Sequence, residues 1–458
     1  MTSLLRDLLA MPPAEVQRLH GQHINPTLVQ ALSLLGYGRD FVRGQGIRLW
    51  DAQGREYLDF ISGYGSLLLG HNHPEIRDAL IEVLKSGAPN FLQICPQPLA
   101  AALAQRLSRL SPGKLEMVYL TSSGSEAVEG AMKLARAVTR RPRFVSAERG
   151  FHGITFGALS ITGGSKHRAP FEPLLPGCAL VPWGDADAVE KELRKRDVAA
   201  VVLEPMQGEG GMRPPPDGYL AEVARHCRKY GTLFVIDDIQ AGLGRTGKLF
   251  TCEHDGVEPD VICLAKGLSG GAVPVSAYLT RRAHWEKAYG TLQKYDVHSS
   301  TFTGGALACA AALTTLEILE RDQLPQRAAE LGQHLGAKLR EATAGHPLVR
   351  EVRGRGLLWG IELKAGPQAA VELVAQWLAV GMMQRQLITQ AATQSPQTLR
   401  AEPPLIVEKA ELDRFAEGLR AALAEHATGA LSSLSQVFST LAQGAGKAAV
   451  RRALGVLQ

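Results

Sequence analysis

The chain has 458 residues, of which 45% are apolar and 21% are charged, as is typical of a globular protein that folds in water. Its formal charge of +5 is small for this length, so nucleic acid is not expected as a partner. No window approaches the ~18 apolar residues of a membrane span, and Arg6 and Asp7 interrupt the apolar start of the chain, unlike a secretory signal. The six cysteines form no C-x-x-C pair, which argues against a zinc site. We therefore expect a cytoplasmic protein with reduced thiols that acts on small soluble molecules.

The first part of the chain is expected to form helices, loops and one hairpin. Residues 1–45 contain helical stretches that prolines interrupt. The segment from Arg48 to Phe60 predicts a β-hairpin, because apolar pairs flank the turn-forming residues 51–54. We expect residues 1–75 to belong to a smaller domain that the C-terminal part of the chain completes.

Short apolar runs alternate with helical stretches over residues 76–320, and one such helix is predicted at Ser125–Val138. The runs are Phe144–Ala147, Ala199–Glu204, Leu233–Asp237, Val261–Ala265 and Val275–Thr280. Short apolar runs between helices are typical of buried parallel strands. This pattern predicts a large α/β domain with a mainly parallel sheet.

Beyond residue 320 the sequence favours helices again. Residues 321–427 contain two strand segments, Gly356–Leu363 and Leu399–Val407, which predicts a smaller α+β domain. In residues 428–458 the apolar positions recur at helical spacing, which indicates a helical extension. We expect that helix to pack on the body of the protein or on a dimer. The alternative is a docking helix for a partner protein or a membrane surface.

An aspartate and a lysine lie at the ends of two predicted strands. Asp237 ends one apolar run, and Lys266 directly follows another. Because the carboxyl ends of parallel strands meet at one edge of a sheet, both side chains are expected in one site. The pair suits pyridoxal 5′-phosphate (PLP), since a lysine amine forms an imine with the cofactor aldehyde and a carboxylate keeps the pyridine nitrogen protonated, so that the ring accepts electrons. The plainer alternative is a helix-capping aspartate and a surface lysine.

Two glycine-containing segments are candidates for phosphate binding. Residues 121–125, Thr-Ser-Ser-Gly-Ser, precede a predicted helix, whose N-terminus offers free N–H groups and a favourable dipole. Alternatively, Ser123 or Ser125 simply caps that helix. Residues 242–247 match G-x-G-x-x-G, the fingerprint of nicotinamide-dependent dehydrogenases. We disfavour that function because no convincing helix start follows the motif.

The histidines are expected to serve the structure or a cofactor pocket rather than a metal ion. His71 and His73 form an H-x-H pair, and His152 follows Phe151. No third ligand follows the pair at a diagnostic spacing, so the sequence predicts no metal site.

Ordered motifs between about residues 25 and 425 resemble those of the class III, or omega, aminotransferases of the PLP fold-type I group. They are Leu-Gly-His-x-His-Pro ending at Pro74, Ser-Gly-Ser-Glu-Ala at 123–127, Phe-His-Gly at 151–153, Glu-Pro-Met-Gln-Gly-Glu-Gly at 204–210, Asp-Asp-Ile-Gln-Ala-Gly-Leu-Gly-Arg-Thr-Gly at 237–247, Leu-Ala-Lys-Gly at 264–267, Ser-Thr-Phe at 300–302 and Leu-Arg-Ala-Glu-Pro-Pro-Leu at 399–405. The resemblance implies an α/β fold with a large, mainly parallel-sheet domain and a smaller α+β domain. It also implies PLP-dependent transfer of an amino group to a 2-oxo acid.

The same resemblance implies a role for each matching residue. Lys266 is expected to hold PLP as a Schiff base, and Asp237 to face its pyridine nitrogen. The other implied cofactor contacts are Ser123, Gly124 and Ser125 near the phosphate, Phe151 and Ile239 on the two ring faces, Gln240 at the phenolic oxygen, and His152 and Glu204 in the pocket. Thr301 is expected to reach the phosphate bound by the neighbouring subunit, which implies a homodimer with shared active sites. Arg400 is expected to hold the carboxylate of 2-oxoglutarate or glutamate, and Glu209 to pair with it when another substrate is bound.

Within the family, the likeness is greatest to putrescine aminotransferases, because of Glu-Gly-Gly at 209–211 and the R-x-E-P-P-L run that starts at Arg400. We therefore expect a diamine such as putrescine or cadaverine as donor, and 2-oxoglutarate or pyruvate as acceptor. Ornithine, acetylornithine and diaminobutyrate are alternative donors. Decarboxylation, racemisation, an internal amino shift and a non-catalytic scaffold are further alternatives on the same fold. Two departures from the family pattern are Asp238, where most members have glutamate, and the loop Thr303–Ala306.

Overall fold

A computed structural model describes residues 3–34, 37–91, 94–364 and 368–425. The helical extension predicted at 428–458 lies outside these residues, so its packing stays a prediction. Within the described ranges no helix combines the length and the apolar character that crossing a bilayer requires.

The described residues form three β-sheets with helices around them. The strands are β1 (Phe41–Gln45), β2 (Arg48–Asp51), β3 (Glu56–Asp59), β4 (Met117–Thr121), β5 (Arg143–Ala147), β6 (Cys178–Val181), β7 (Val198–Leu203), β8 (Leu233–Asp237), β9 (Val261–Leu264), β10 (Ser276–Thr280), β11 (Val349–Arg355), β12 (Leu358–Leu363), β13 (Leu387–Ile388) and β14 (Thr398–Ala401). The α-helices are α1 (Ser3–Leu9), α2 (Pro13–His23), α3 (Pro26–Leu34), α4 (Pro74–Ser86), α5 (Pro98–Leu110), α6 (Gly124–Thr139), α7 (Phe156–Ile161), α8 (Ser165–Arg168), α9 (Ala186–Leu193), α10 (Tyr219–Tyr230), α11 (Arg282–Tyr289), α12 (Ala306–Arg321), α13 (Leu324–Thr343), α14 (Gln368–Gln384) and α15 (Lys409–Ala424).

The largest sheet has seven strands in the order β4-β10-β9-β8-β7-β5-β6. The neighbouring strands from β9 to β6 pair in parallel. Strand β10 runs antiparallel to both β9 and β4. The sheet is therefore mainly parallel, and the predicted α/β class is confirmed.

Helices cover both faces of this sheet, which explains why its central strands are continuously apolar. Every residue of β7 is buried. Its side chains alternate between two separate core clusters, with Val201 and Leu203 in one and Ala200 and Val202 in the other. Apolar residues of α10 belong to the first cluster and those of α6 to the second. A strand buried on both faces has no polar side to alternate, as its sequence indicates.

The run Val275–Thr280 was predicted as a parallel strand, and the predicted direction is wrong. It forms β10, which is antiparallel to its neighbours. The connection from β9, residues 265–275, is shorter than the dozen or more residues that a parallel crossover needs, and an apolar run carries no sign of strand direction. The other four runs form parallel strands, and the helix predicted at Ser125–Val138 is α6. Strands β4 and β6 were not predicted.

Two smaller sheets involve the beginning and the end of the described chain. The predicted hairpin is confirmed as β2 and β3, and β3 also pairs in parallel with β13. Strand β1 lies within residues 1–45, where only helices and loops were expected. In the third sheet β12 pairs with β11 and β14. Of the predicted strand segment Leu399–Val407, only the first residues form β14, because Pro403 and Pro404 lack the N–H groups that would continue the ladder.

The carboxyl ends of three strands meet at one edge of the large sheet. Asp237, the last residue of β8, pairs in register with Cys263 of β9, and Lys266 follows β9 two residues after its end. Strand β4 points the same way as β9, since β10 is antiparallel to both. The loop between Thr121 and α6 therefore lies at this edge, together with Asp237 and Lys266.

Candidate functional site

A cavity of about 410 Å³ opens at this edge of the large sheet. Most of the predicted site residues line it: Ser123, Gly124, Ser125, Phe151, His152, Glu204, Asp237, Ile239, Gln240 and Lys266. Three others, Glu209, Arg400 and Thr301, are not among its lining residues in the described part of the chain. The fold thus gathers side chains from loops far apart in the sequence around one space.

Lys266 begins a short 3-10 turn, Lys266–Ser269, directly beyond β9. Its φ of 42° lies in the left-handed region, which residues with a side chain rarely adopt. The residues on either side of it are buried, whereas Lys266 is partly exposed at the cavity. Local backbone strain of this kind is often found at functional sites. Here the strained residue is also the only lysine that lines the cavity in the described chain.

Asp237 is buried and forms an ion pair with His152. The His152 Nδ1 atom donates to Asp237 Oδ2 over 2.7 Å, and the other carboxylate oxygen accepts from the Ile239 N–H over 3.3 Å. Burial lowers the pKa of His152, but the hydrogen bond to Asp237 and its charge outweigh burial, so the pKa is raised. A protonated His152 places a positive charge beside Asp237 at the cavity wall.

Glu204 holds the loop that carries Phe151. Its carboxylate accepts hydrogen bonds from the backbone N–H groups of Phe151 and Gly208, each over 3.0 Å. Burial raises the pKa of Glu204 to about 7, although the nearby charge of His152 opposes this. Glu204 thereby ties together the loops that contain Phe151 and Gly208.

The segment before α6 combines a helix cap with a close backbone approach. Ser123 caps the helix, because its Oγ accepts from the Glu126 N–H over 3.3 Å. Gly124 follows as the first helical residue, and a Cβ atom there would lie 3.0 Å from Ile239 Cδ1. The glycine therefore keeps the backbone N–H groups of Gly124 and Ser125 close to the cavity, at the positive end of the helix. The capping and the phosphate-binding interpretations are compatible.

Arg400 lies in a buried cluster behind Gln240. Its Nη2 donates to Glu209 Oε2 over 2.8 Å, and its Nη1 donates to Glu402 Oε2 over 3.3 Å. The ring centre of Tyr64 lies 5.0 Å from the guanidinium carbon. Burial alone would raise the pKa of Glu209, but the charge of Arg400 outweighs it and holds that pKa well below its usual range.

Gln240 connects this cluster to the cavity. Its Nε2 donates to both oxygens of Glu402 over 3.2 Å, and to Glu209 Oε1 over 3.4 Å. An amide group has two donor hydrogens, so both are directed at carboxylates in this geometry. Sequence reasoning missed Glu402 and Tyr64. The position of Glu402, two residues after Arg400 in extended backbone, is a signal that would have placed both on one side of the chain.

Thr301 is exposed and lies in the turn that precedes α12. Nearby Leu292, Tyr295 and Phe302 are also exposed. In the neighbouring loop Thr303–Ala306, the Thr303 hydroxyl donates to the Leu120 carbonyl over 3.1 Å. The expected contact of Thr301 with a neighbouring subunit stays a prediction.

Residues 36–423 match the family model for aminotransferases of class III. The chain belongs to the class-III aminotransferase family. The match spans all the described strands, from β1 to β14, and the family has the PLP fold-type I architecture. The α/β fold and the dependence on PLP that the sequence predicts are therefore confirmed.

Named relatives of this aminotransferase agree with that family. The Aminotransferase PigE of Serratia sp. (strain ATCC 39006) is 39% identical over 455 residues, which cover 89% of this chain and 53% of that protein. The chain thus spans about half the length of this curated relative. The ornithine aminotransferase of Toxoplasma gondii ME49 is 29% identical with a TM-score of 0.83, over 93% of this chain and 99% of that one. An (S)-enantioselective omega-transaminase of Thermomicrobium roseum is 32% identical with a TM-score of 0.82, over 90% and 98% of the two chains.

The cavity of the aminotransferase has the chemical groups that PLP requires. It offers an amine on Lys266, a carboxylate on Asp237 that a buried His152 stabilises, and the N-terminus of α6. A Cβ atom at Gly124 would be in tight contact with Ile239, so glycine lets the helix N-terminus lie close to the cavity. These residues fit the cofactor.

Two alternative sites have no support in the geometry of the aminotransferase. The glycines at 242–247 lie in consecutive turns, and the next element is a 3-10 turn, Thr251–Asp255, instead of the α-helix that a dinucleotide needs. His71 Nε2 binds Asp59 Oδ2 over 3.0 Å. In the described ranges no three His, Cys, Asp or Glu side chains are placed to hold a metal ion.

Asp238, the departure from the family pattern, is fully buried and does not line the cavity. Its Oδ2 accepts from the Thr251 N–H over 2.9 Å. Burial raises the pKa of Asp238 from 3.8 to about 7, against the opposing effect of the Thr251 hydrogen bond. Because the pKa in the folded state is the higher one, the protonated form stabilises the fold below the unfolded pKa. That stabilisation is lost as the pH rises through about 7.

Replacing Asp238 by asparagine should make stability less sensitive to pH. Asparagine keeps an acceptor for the Thr251 N–H but cannot ionise. We expect the free energy of unfolding of the natural enzyme to fall relative to Asp238→Asn as the pH rises towards 7, by at most about 1.4 kcal/mol per pH unit. Denaturant unfolding of both PLP-loaded proteins at about pH 5 and about pH 8 measures this. A difference between the two proteins that is the same at both pH values would contradict it.

Proposed function

We propose that this aminotransferase moves the terminal amino group of a diamine, such as putrescine or cadaverine, to a 2-oxo acid such as 2-oxoglutarate or pyruvate. The ion pair between Arg400 and Glu209 carries the proposal. It occupies the guanidinium that would bind a substrate carboxylate. With the pair closed, the pocket suits a donor that has no carboxylate at its far end.

The cofactor supplies an electrophilic aldehyde and a ring that accepts electrons. Lys266 Nζ would hold the cofactor through that aldehyde, and its amine, when free, would accept the proton from the donor carbon and give it back. Asp237, which accepts a hydrogen bond from His152, would face the pyridine nitrogen and keep its proton in place. The distance of 2.7 Å between His152 and Asp237 supports this part of the proposal.

Other residues hold the cofactor in place in this proposal. Phe151 and Ile239 would contact the two faces of the ring, and the N–H groups of Gly124 and Ser125 would bind the phosphate. Gln240 bonds the phenolic oxygen. Because both donor hydrogens of Gln240 are directed at carboxylates, this bond requires one of them to be redirected towards the ring.

The second half of the reaction needs Glu209 to release Arg400. Arg400 would then bind the carboxylate of the 2-oxo acid that accepts the amino group. Thr301 of a neighbouring copy reaches the phosphate, so the active unit is a homodimer, which we place in the cytoplasm. The exposed apolar residues Leu292, Tyr295 and Phe302, which lie close to Thr301 in the sequence, support such an interface.

Ornithine, acetylornithine and diaminobutyrate are the alternative donors. Similarity to the ornithine aminotransferase of Toxoplasma gondii favours ornithine among them. Each has a carboxylate, and an amino acid that enters with this group towards Arg400 must compete with Glu209 for it. Other PLP reactions, such as decarboxylation or racemisation, consume no 2-oxo acid. Formation of glutamate from labelled 2-oxoglutarate separates them from transamination.

The proposed donor is tested by titrating the PLP-loaded enzyme with one amine at a time and recording the visible absorbance of the bound cofactor. Loss of the band is expected with putrescine and cadaverine, since donation of the amino group converts the cofactor to its amine form. Ornithine, acetylornithine, diaminobutyrate and glutamate are the comparison donors, and butylamine is the matched control without a second amine.

The outcome decides the donor class. Bleaching at low concentration by diamines, and only at much higher concentration by the amino acids, supports the proposal. Bleaching by amino acids alone would contradict the proposal and indicate a donor such as ornithine or diaminobutyrate. Bleaching by butylamine as readily as by putrescine would show that the second amine is not recognised.

A further inference from the structure

Arg400 is contacted by two carboxylates. In the proposed function only one of them, Glu209, gives way to a substrate carboxylate. Glu209 binds its Nη2, and Glu402 binds its Nη1. All three side chains are buried, and Arg400 and Glu402 are fully so. A second arginine, Arg245, is buried next to this group, and the charge of Glu402 acts on it. The cluster of Arg245, Arg400, Glu209 and Glu402 therefore contains two charges of each sign.

Glu402 is completely buried, and both its backbone and its carboxylate are in close contact with neighbouring segments. The backbone N–H of Glu402 donates to the Phe60 carbonyl over 2.9 Å, which fixes the chain at this residue. On the other side, a Cβ atom at Gly65 would lie 2.3 Å from Glu402 Oε1, so the backbone of residue 65 packs directly against the carboxylate. Gln240 adds hydrogen bonds to both carboxylate oxygens. The backbone of Gly65 and the amide of Gln240 thus hold the carboxylate of Glu402 beside Arg400.

A fixed carboxylate changes what Arg400 can bind. When Glu209 leaves and an acceptor carboxylate takes its place, Glu402 remains beside the same guanidinium. Two carboxylates then share one cation, and their repulsion offsets part of the attraction to Arg400. A donor with a cationic or uncharged far end meets no such penalty.

We propose that Glu402 is a specificity-determining residue, a permanent counter-charge that weakens the hold of Arg400 on carboxylate ligands and favours donors whose far end carries no carboxylate. The inference rests on the proposed role of Arg400. It differs from the exchange of Glu209, because Glu402 acts by staying in place. A purely structural role, in which Glu402 only balances Arg245, would leave the affinity for carboxylates unchanged.

The test uses glutarate, a dicarboxylate that lacks the oxo and amino groups and therefore cannot react. Its binding to the PLP-loaded enzyme is measured by calorimetry. Glu402→Gln keeps the shape and the acceptor oxygen but removes the charge, and we expect it to tighten glutarate binding about tenfold. Asp238→Asn removes an equally buried carboxylate that contacts Thr251 instead, and should leave glutarate binding unchanged. Arg400→Ala should abolish the tightening when combined with Glu402→Gln.

Glu402→Asp covers the case in which the glutamine variant does not fold. It keeps the charge that balances Arg245 but draws it back from Arg400, so a smaller tightening of the same sign is expected. Glutarate affinity that is unchanged or weaker in the variants that fold would overturn the inference. The natural enzyme is also titrated with putrescine. If putrescine fails there while glutarate binding still tightens in the variants, the diamine proposal fails and the role of Glu402 stands.

Discussion

Replacement of Lys266 by alanine is expected to abolish transamination and to leave the fold intact. The amine that binds the cofactor and moves the proton is lost, so the rate of amino transfer should fall by about 10³-fold or more. The turn should persist, because Lys266 already occupies its left-handed φ of 42° with a side chain, and alanine has no greater steric conflict there. Stopped-flow absorbance with the amine donor measures the rate, and thermal unfolding by circular dichroism reports the fold.

Lys248→Ala is the matched control, since Lys248 is exposed and does not line the cavity. It should keep the visible band of the bound cofactor and the natural rate. Lys266→Ala should lose both, although PLP added in excess still protects the protein against thermal unfolding. Turnover near that of the natural enzyme in Lys266→Ala would remove this residue from the mechanism, and with it the assignment of the cavity.

The second large effect is expected for Asp237→Asn. Asparagine has nearly the shape of aspartate but no charge, so the pyridine nitrogen of the cofactor loses the group that keeps its proton. We expect the rate to fall by about 100-fold or more, as when a preorganised electrostatic contact is removed from an enclosed site. The pKa of His152 should fall as well, because the hydrogen bond and the charge that raise it come from Asp237.

The neighbouring residue supplies the control for this change. Asp238→Asn is the same substitution, one position along the chain and equally buried, but its carboxylate binds the Thr251 backbone instead of lining the cavity. It should retain most of the activity at saturating PLP. Equal losses in the two variants would mean that burial of a carboxylate at the end of β8, and not its position against the cofactor, explains the effect.

The sequence predicted the central part of the fold because burial on both faces leaves a simple signature. The runs that form β5, β7, β8 and β9 are continuously apolar, and strand ends at Asp237 and Lys266 follow from them. The direction of β10 was not predictable in this way, since an apolar run is the same read either way. Strands β4 and β6 are only partly buried, and their patterns are correspondingly weaker.

The site was predicted where one residue type is required for a chemical reason. Lys266, Asp237 and the small residues before α6 belong to that class, and they do line one cavity. Glu402 was missed because a glutamate between an alanine and a proline has no chemical signature of its own. Its meaning depends on Arg400, Gln240 and the backbone of Gly65, which come together only through the tertiary structure.

The parallel pairing of β3 with β13 has a consequence for how the protein is made. Leu58 pairs with Leu387, and Tyr37 donates to the Thr389 carbonyl across 352 residues of sequence. During synthesis, the edge of β3 therefore stays unpaired until β13 has left the ribosome, which happens when nearly the whole chain has been made. Contacts of such long sequence separation close late and slowly, and an open strand edge invites pairing with other chains. Shortened forms that lack β13 should consequently aggregate in expression, even though every residue of the large sheet is present.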